Sequence, residues 1–132
     1  MNLVEGVVLP SLTVVFGRED LIRYAGASTD FNPIHWSDEA AKALGLPGVI
    51  AHGMLTMGTA LRVVTDVIDP ARLRSYHVRF TKPVVVDSAA GATLEIHGRV
   101  TRVEHGVATI EIQASCATEA VLGSAVAEVW VD

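Results

Sequence analysis

Apolar and polar positions follow two different periods along this chain, and the change falls near residue 75. From His52 to Ile68 the period is helical. Met54, Met57, Leu61, Val64 and Ile68 recur at spacings of three and four, and Ala60, Val63 and Val67 widen the stripe. Polar residues in this stretch are few (Thr56, Thr59, Arg62 and Asp66), so the pattern predicts a helix buried on most sides, ended by Asp69-Pro70. Gly53 and Gly58 weaken helicity, which suggests close approach by a neighbour or ligand. From Ser75 the period is two. Tyr76, Val78 and Phe80 alternate with His77, Arg79 and Thr81, before Pro83 and the run Val84-Val85-Val86. Leu94, Ile96 and Val100 then alternate with polar neighbours. Glu104-His105-Gly106 predicts a hairpin turn into strands over Val107–Ala117 and Leu122–Val131. Three long strands in succession read as an antiparallel meander, and a sheet covering one apolar helix is an α+β layer.

Upstream, Leu9–Phe16 reads as a strand and Arg18–Ala25 as a short helix with Glu19 and Asp20 in its first turn and Gly26 at its end. Ser37 is placed to cap a second short helix running to about Leu44, with Gly45-Leu46-Pro47 as its stop. No repeat, linker or low-complexity segment divides residues 1–132, which read as a single domain.

Half the residues are hydrophobic and 19% are charged. That richness points to apolar surface covered in an oligomer or lining an apolar tunnel. The formal charge of −5 argues against nucleic acid or an anionic membrane as the main partner. A lone cysteine, Cys116, excludes an intramolecular disulfide. The stretch from Met1 to Ser11 carries Glu5 and no basic region, and no run is apolar enough to span a membrane, so a cytoplasmic location is expected.

The chemistry concentrates between Tyr24 and Ala41. Asp30 and His35 lie five residues apart with Asn32-Pro33 between them. Five residues of helix would turn the two side chains roughly 140° apart, and a strand would put them on opposite faces. Only a turn makes them converge, and Asn-Pro is turn chemistry. Phe31, Ile34 and Trp36 interleave with the pair and would partly desolvate it.

Asp30-x-Asn32-Pro33-Ile34-His35, followed by His52-Gly53-Met54, resembles the MaoC-like dehydratases, the (R)-specific enoyl-thioester hydratase family. Within it the chain looks most like the catalytic β-type subunit of actinobacterial 3-hydroxyacyl-carrier-protein dehydratases. One departure is Thr29, where the family usually has glycine. The resemblance implies a single hotdog fold, with an antiparallel sheet wrapped around one long central helix. It also implies reversible hydration of trans-2-enoyl thioesters to (R)-3-hydroxyacyl thioesters. Such a reaction needs a base for water, an acid for C2 and a donor for the enolate-like oxygen. Asp30 and His35 supply the first two, and which of them takes the water proton is open at this level. The backbone N–H of Gly53, at a helix N-terminus, suits the third, and the resemblance implies the same role. Phe31, Trp36, Met54, Leu55 and Met57 are candidates for lining an acyl channel, and Arg79 and Lys82 for meeting a pantetheine phosphate. No cofactor is expected beyond the CoA or acyl-carrier protein that bears the acyl group, and no metal, since no zinc-type spacing occurs. One short dyad unit per chain predicts an obligate dimer, with itself or with a non-catalytic hotdog paralogue.

Plainer roles compete. Asp30 alone reads as an Asx-turn residue and His35 as a buried, satisfied histidine. Asn32 and Pro33 read as residues that hold the loop. His52 either touches substrate or caps the long helix. His77, His97 and His105 read as surface positions, and Cys116 as a small buried hydrophobe. Two other functions use the same fold: a structural subunit completing another chain's tunnel, and a hotdog thioesterase. An intact dyad argues against the first, and the Asp-x-Asn-Pro-x-His spacing against the second. No serine-hydrolase elbow or nucleotide-binding glycine motif is present.

Overall fold

The computed structural model describes residues 1–131. In chain order it contains β1 (Leu12–Phe16), α1 (Arg18–Ser28), α2 (Asp38–Ala43), α3 (Gly53–Thr65), β2 (Leu73–Phe80), β3 (Ala92–Glu104), β4 (Val107–Cys116), β5 (Glu119–Ala120) and β6 (Leu122–Trp130). The strands form one antiparallel sheet in the order β1-β3-β4-β6-β2, with β5 a short addition to β4. The meander is β3-β4-β6, and α3 packs against those three central strands. This is the hotdog arrangement.

Strict alternation puts Leu94, Ile96 and Val100 of β3 and Ala108, Ile110, Ile112 and Ala114 of β4 under the helix, all buried. The helix meets them with Thr56, Thr59, Ala60, Val63 and Val64. That face keeps Ala60, Val63 and Val64 of the expected stripe and differs in the rest. Thr56 and Thr59 are buried, whereas Met54 is 62% exposed and Met57 and Leu61 are half-buried. Small side chains let the helix sit close to the sheet. A Cβ on Gly98 of β3 would stand only 3.2 Å from Val63 Cγ1. The helix is therefore buried on one side of the single chain rather than on most sides. Nothing lies within 4 Å of a Cβ built on Gly58, so no close neighbour explains that glycine among the described residues. No helix of the described residues is long and apolar enough to cross a membrane.

Boundaries differ from expectation for local reasons. β1 starts at Leu12 because Pro10 has no N–H to continue the ladder, although Leu9 still donates to the Gly98 carbonyl at 2.9 Å. α1 runs through Gly26 and ends at Thr29, whose φ of 61° is left-handed. That is the position where the resemblance implies glycine, and a β-branched residue there is strained. α2 is as read: Ser37 Oγ accepts from Ala40 N at 3.1 Å, and Gly45 (φ +81°) closes it. Leu46 N donates to Ala41 O and Gly45 N to Lys42 O, both at 3.0 Å, which is a Schellman cap. α3 covers Gly53–Thr65, shorter than the stretch to Ile68. Cys116 is half-buried rather than fully so, and burial pushes its thiol pKa up.

Candidate active site

Residues Asn32 to Trp36 form a tight turn closed on itself by short-range bonds. Asp30 Oδ1 accepts from Asn32 N at 3.2 Å, and Asn32 Oδ1 accepts from Ile34 N at 3.2 Å. Pro33 opens a single 3₁₀ turn (Pro33–His35), and its carbonyl takes the Trp36 and Ser37 N–H groups at 3.1 and 2.8 Å. Asp30 thus is an Asx-turn residue, and this role aims the carboxylate. One oxygen holds the turn while the other, Oδ2, stands 3.7 Å from His35 Nε2.

The opposite side of His35 is fixed by a distant segment. Its Nδ1 lies 2.7 Å from the Ile50 carbonyl, and the Ile50 N–H donates to Ile34 O at 3.1 Å. A carbonyl oxygen only accepts, so Nδ1 carries hydrogen and the neutral ring keeps its lone pair on Nε2, facing Asp30. His35 is 6% exposed and the Asp30 side chain 50%. The 3.7 Å gap has the width that one water, about 2.8 Å from each acceptor and donating a hydrogen to each, would span.

Ile50 is held in turn. Val86 N donates to Val49 O and Ala51 N to Val84 O, both at 2.9 Å, pairing residues 49–51 with 84–86. Arg18 bonds the Val86 carbonyl at 2.7 Å through Nε and forks onto both oxygens of Asp38 at 2.9 and 3.2 Å. The Val49 N–H and this guanidinium hold the Asp38 carboxyl below its ordinary value of 3.8. A depressed folded pKa stabilises above the unfolded value and loses that contribution as pH falls through the folded value. Stability is therefore expected to drop on acidification below about pH 4, and less steeply in Asp38→Asn. Denaturant midpoints at neutral pH and at about pH 3 check this, and equal drops in both proteins would contradict it.

His52 precedes α3 and is 2% exposed. Of the two roles read for it, capping is met through the backbone: His52 is the N-cap residue and its carbonyl accepts from Leu55 N and Thr56 N, while its side chain makes no capping bond. Instead Nε2 lies 3.2 Å from the Asp30 carbonyl, and the ring stacks on His35 at 3.8 Å between centroids. Gly53 follows as the first helical residue, ahead of the first N–H with an intrahelical partner. His35 and Gly53 both line a cleft of about 320 Å³, together with Thr56, Phe80, Lys82 and Val84.

Of the other residues singled out, Lys82 lines the cleft but is paired with Glu119 at 2.8 Å. Phe31, Trp36, Met54 and Met57 do not line it. The first three are 61%, 50% and 62% exposed, and the Trp36 indole donates to the Phe31 carbonyl at 3.0 Å. A channel wall made of these four is not present in the single chain. Arg79 is exposed on β2, also outside the cleft. Sequence reasoning missed Phe80, whose ring edge would stand 3.2 Å from a Cβ on Gly53, and Ile50, whose carbonyl orients His35. Asp30, His35 and His52 bring possible ligand atoms within 4.8 Å of one another. The stacked rings, however, aim their in-plane lone pairs side by side rather than at one point, so the set does not fit a shared cation.

Known proteins match this architecture. The family described as "MaoC like domain" matches residues 2–121. The 3-hydroxyacyl-thioester dehydratase X of Mycobacterium tuberculosis is 46% identical over 69 residues, 52% of this chain and 24% of that protein. A solved MaoC-like dehydratase superposes with a TM-score of 0.96 at 35% identity, over 99% of this chain and 41% of that one. A chain of the ChsH1–ChsH2 complex from M. tuberculosis superposes at 0.84 with 25% identity, over 98% of both chains. The chain thus spans less than half the length of the dehydratases it matches at higher identity. It belongs to the MaoC-like domain family.

Proposed function

We propose that this chain is a hydro-lyase that interconverts trans-2-enoyl and (R)-3-hydroxyacyl thioesters of fatty-acid metabolism, borne on CoA or an acyl-carrier protein. The observation that carries the reading is the opposed pair Asp30 Oδ2 and His35 Nε2, 3.7 Å apart, with His35 lining the same cleft as Gly53 at the start of α3. Similarity to a 3-hydroxyacyl-thioester dehydratase supports the substrate class, and the resemblance to (R)-specific hydratases supports the stereochemistry.

In the hydration direction a water sits between the two acceptors. His35 Nε2 takes one proton while the water oxygen bonds to C3. Asp30 accepts the second hydrogen and favours the developing imidazolium. Electron density moves to the thioester oxygen, where the Gly53 N–H and the positive end of α3 stabilise it. The enolate then collapses, C2 takes the proton from His35 Nε2, and the pair returns to its starting charge. Asn32 and Pro33 hold the loop and touch no reacting atom. Neither metal nor organic cofactor enters this scheme.

Phe31, Trp36, Met54 and Phe80 are half or more exposed, an apolar rim beside the dyad and Gly53. A second hotdog subunit, identical or paralogous, covers them in this reading, and a solved complex of two different chains of this kind supports it. Incubating the purified chain with trans-2-butenoyl-CoA and resolving the product enantiomers tests the proposal. The (R)-3-hydroxy product is expected, and a racemic or (S) product would overturn the stereochemical assignment. Arg79 and Lys82 remain proposed contacts for the pantetheine phosphate, with Lys82 exchanging Glu119 for it.

A further inference from the structure

The water-addition scheme uses Asp30, His35 and Gly53 but gives no task to His52, the most buried of the histidines in the site. His52 Nε2 lies 3.2 Å from the Asp30 carbonyl oxygen, so it carries the hydrogen. The remaining lone pair is on Nδ1, which is buried and has no hydrogen-bond partner. Burying an unsatisfied acceptor is destabilising, and an apolar ring would avoid it. Burial also holds the imidazole below its ordinary pKa, so it stays neutral.

Two of its side-chain contacts end on members of the reacting set. The N–H ties down the backbone of Asp30. One ring face lies against His35, 3.8 Å between centroids and 20° between planes. Tyr24 closes on the ring from α1 with centroids 4.7 Å apart at 63°, so the imidazole has little freedom to tip. Its own peptide carbon is bonded to the nitrogen of Gly53. The turn and the helix lie apart in sequence, and this side chain joins them, as the Ile50 bonds join the turn to the residues just before the helix.

We propose that His52 is a positioning residue that locks the Asp30–His35 pair at a fixed distance and tilt from the Gly53 N–H, acting through its Nε2–H and its ring face. The proposal rests on the hydration reading of the site. His52 touches no substrate atom in this scheme; it sets the geometry in which the three other groups act together.

Three variants separate its two means of action: His52→Gln keeps a donor near Nε2, His52→Phe keeps the face, and His52→Ala loses both. Hydration of trans-2-butenoyl-CoA is expected to show kcat lower by about 10²-fold in His52→Ala with KM nearly unchanged. The Gln and Phe variants each recover part of that loss. A second readout needs no turnover: the proton NMR signal of His35 Nδ1–H, sheltered in its bond to Ile50. It is expected to broaden into solvent exchange in His52→Ala and to persist in His52→Gln. Wild-type kcat in His52→Ala would overturn the proposal. So would kcat and KM worsening together with thermal stability, without recovery in either other variant. A wild-type chain that shows the His35 signal, loses it in His52→Ala and yet hydrates no enoyl thioester would sink the hydration reading and leave the positioning role standing.

Discussion

Asp30→Asn is expected to lower kcat for enoyl-thioester hydration by about 10²–10⁴-fold, the usual range for one acid–base group. The loss is expected without loss of fold. An asparagine side-chain oxygen can still accept the Asn32 N–H that Asp30 Oδ1 accepts at 3.2 Å, so the turn keeps its bond. What changes is the atom facing His35. Oδ2, an acceptor 3.7 Å from Nε2, becomes an NH₂ group, a donor. It can bond to the Nε2 lone pair directly, occupying the base and displacing the water. Initial rates and a thermal melt of the same preparation measure both halves. A variant with near wild-type kcat would remove Asp30 from the chemistry and leave it as a turn residue only.

The second large effect is expected at Gly53, and proline is the informative replacement. Gly53 is the first residue of α3, where the N–H has no helical partner and proline is tolerated. His52 before it has φ −59° and ψ 132°, an extended backbone compatible with a following proline. Gly53→Pro therefore deletes the donor and spares the helix. A loss of about 10²–10³-fold in kcat is expected, the scale of one oxyanion donor. Gly53→Ala is the control, because it keeps the N–H and adds only a methyl group. That methyl meets Phe80 Cε1 at 3.2 Å, and Phe80 is half exposed and can shift. Its loss is expected to be small. Equal activity in the proline and alanine variants would show that the Gly53 N–H does not stabilise the transition state.

What could be read from the residues was the local part. The Asp30–Asn32–Pro33–His35 turn, the Ser37 cap and the Gly45 Schellman stop are all made by bonds within a few residues, so their chemistry is written consecutively. The alternation of β3, β4 and β6 was legible for the same reason: one face of each strand meets the core. Other features depend on contacts far apart in the chain. Nothing near His35 announces that Ile50, fifteen residues on, would take its Nδ1–H, or that Phe80 would lie beside Gly53. The face of α3 was read correctly at Ala60, Val63 and Val64 and misread in its first turns, where residue type pointed to the methionines. Thr56 and Thr59 are buried in place of the methionines, and the helix comes close to the sheet where Val63 meets Gly98. Met54 is left outward, as part of the rim assigned to a partner subunit. His52 stands at the N-cap, one of its two readings, and what its residue type did not announce is the bond of its ring to the Asp30 carbonyl and its stacking on His35.

The central claim is that Asp30 and His35 deliver water to C3 of an intact thioester, and oxygen-labelled water tests it most directly. The chain is incubated with trans-2-butenoyl-CoA in labelled water, and the products are analysed by mass spectrometry with free thiol assayed in parallel. The account predicts one labelled oxygen at C3 of a 3-hydroxyacyl thioester and no thiol released. Label in a free carboxylate with stoichiometric CoA thiol would contradict it, making the same pair a thioester hydrolase.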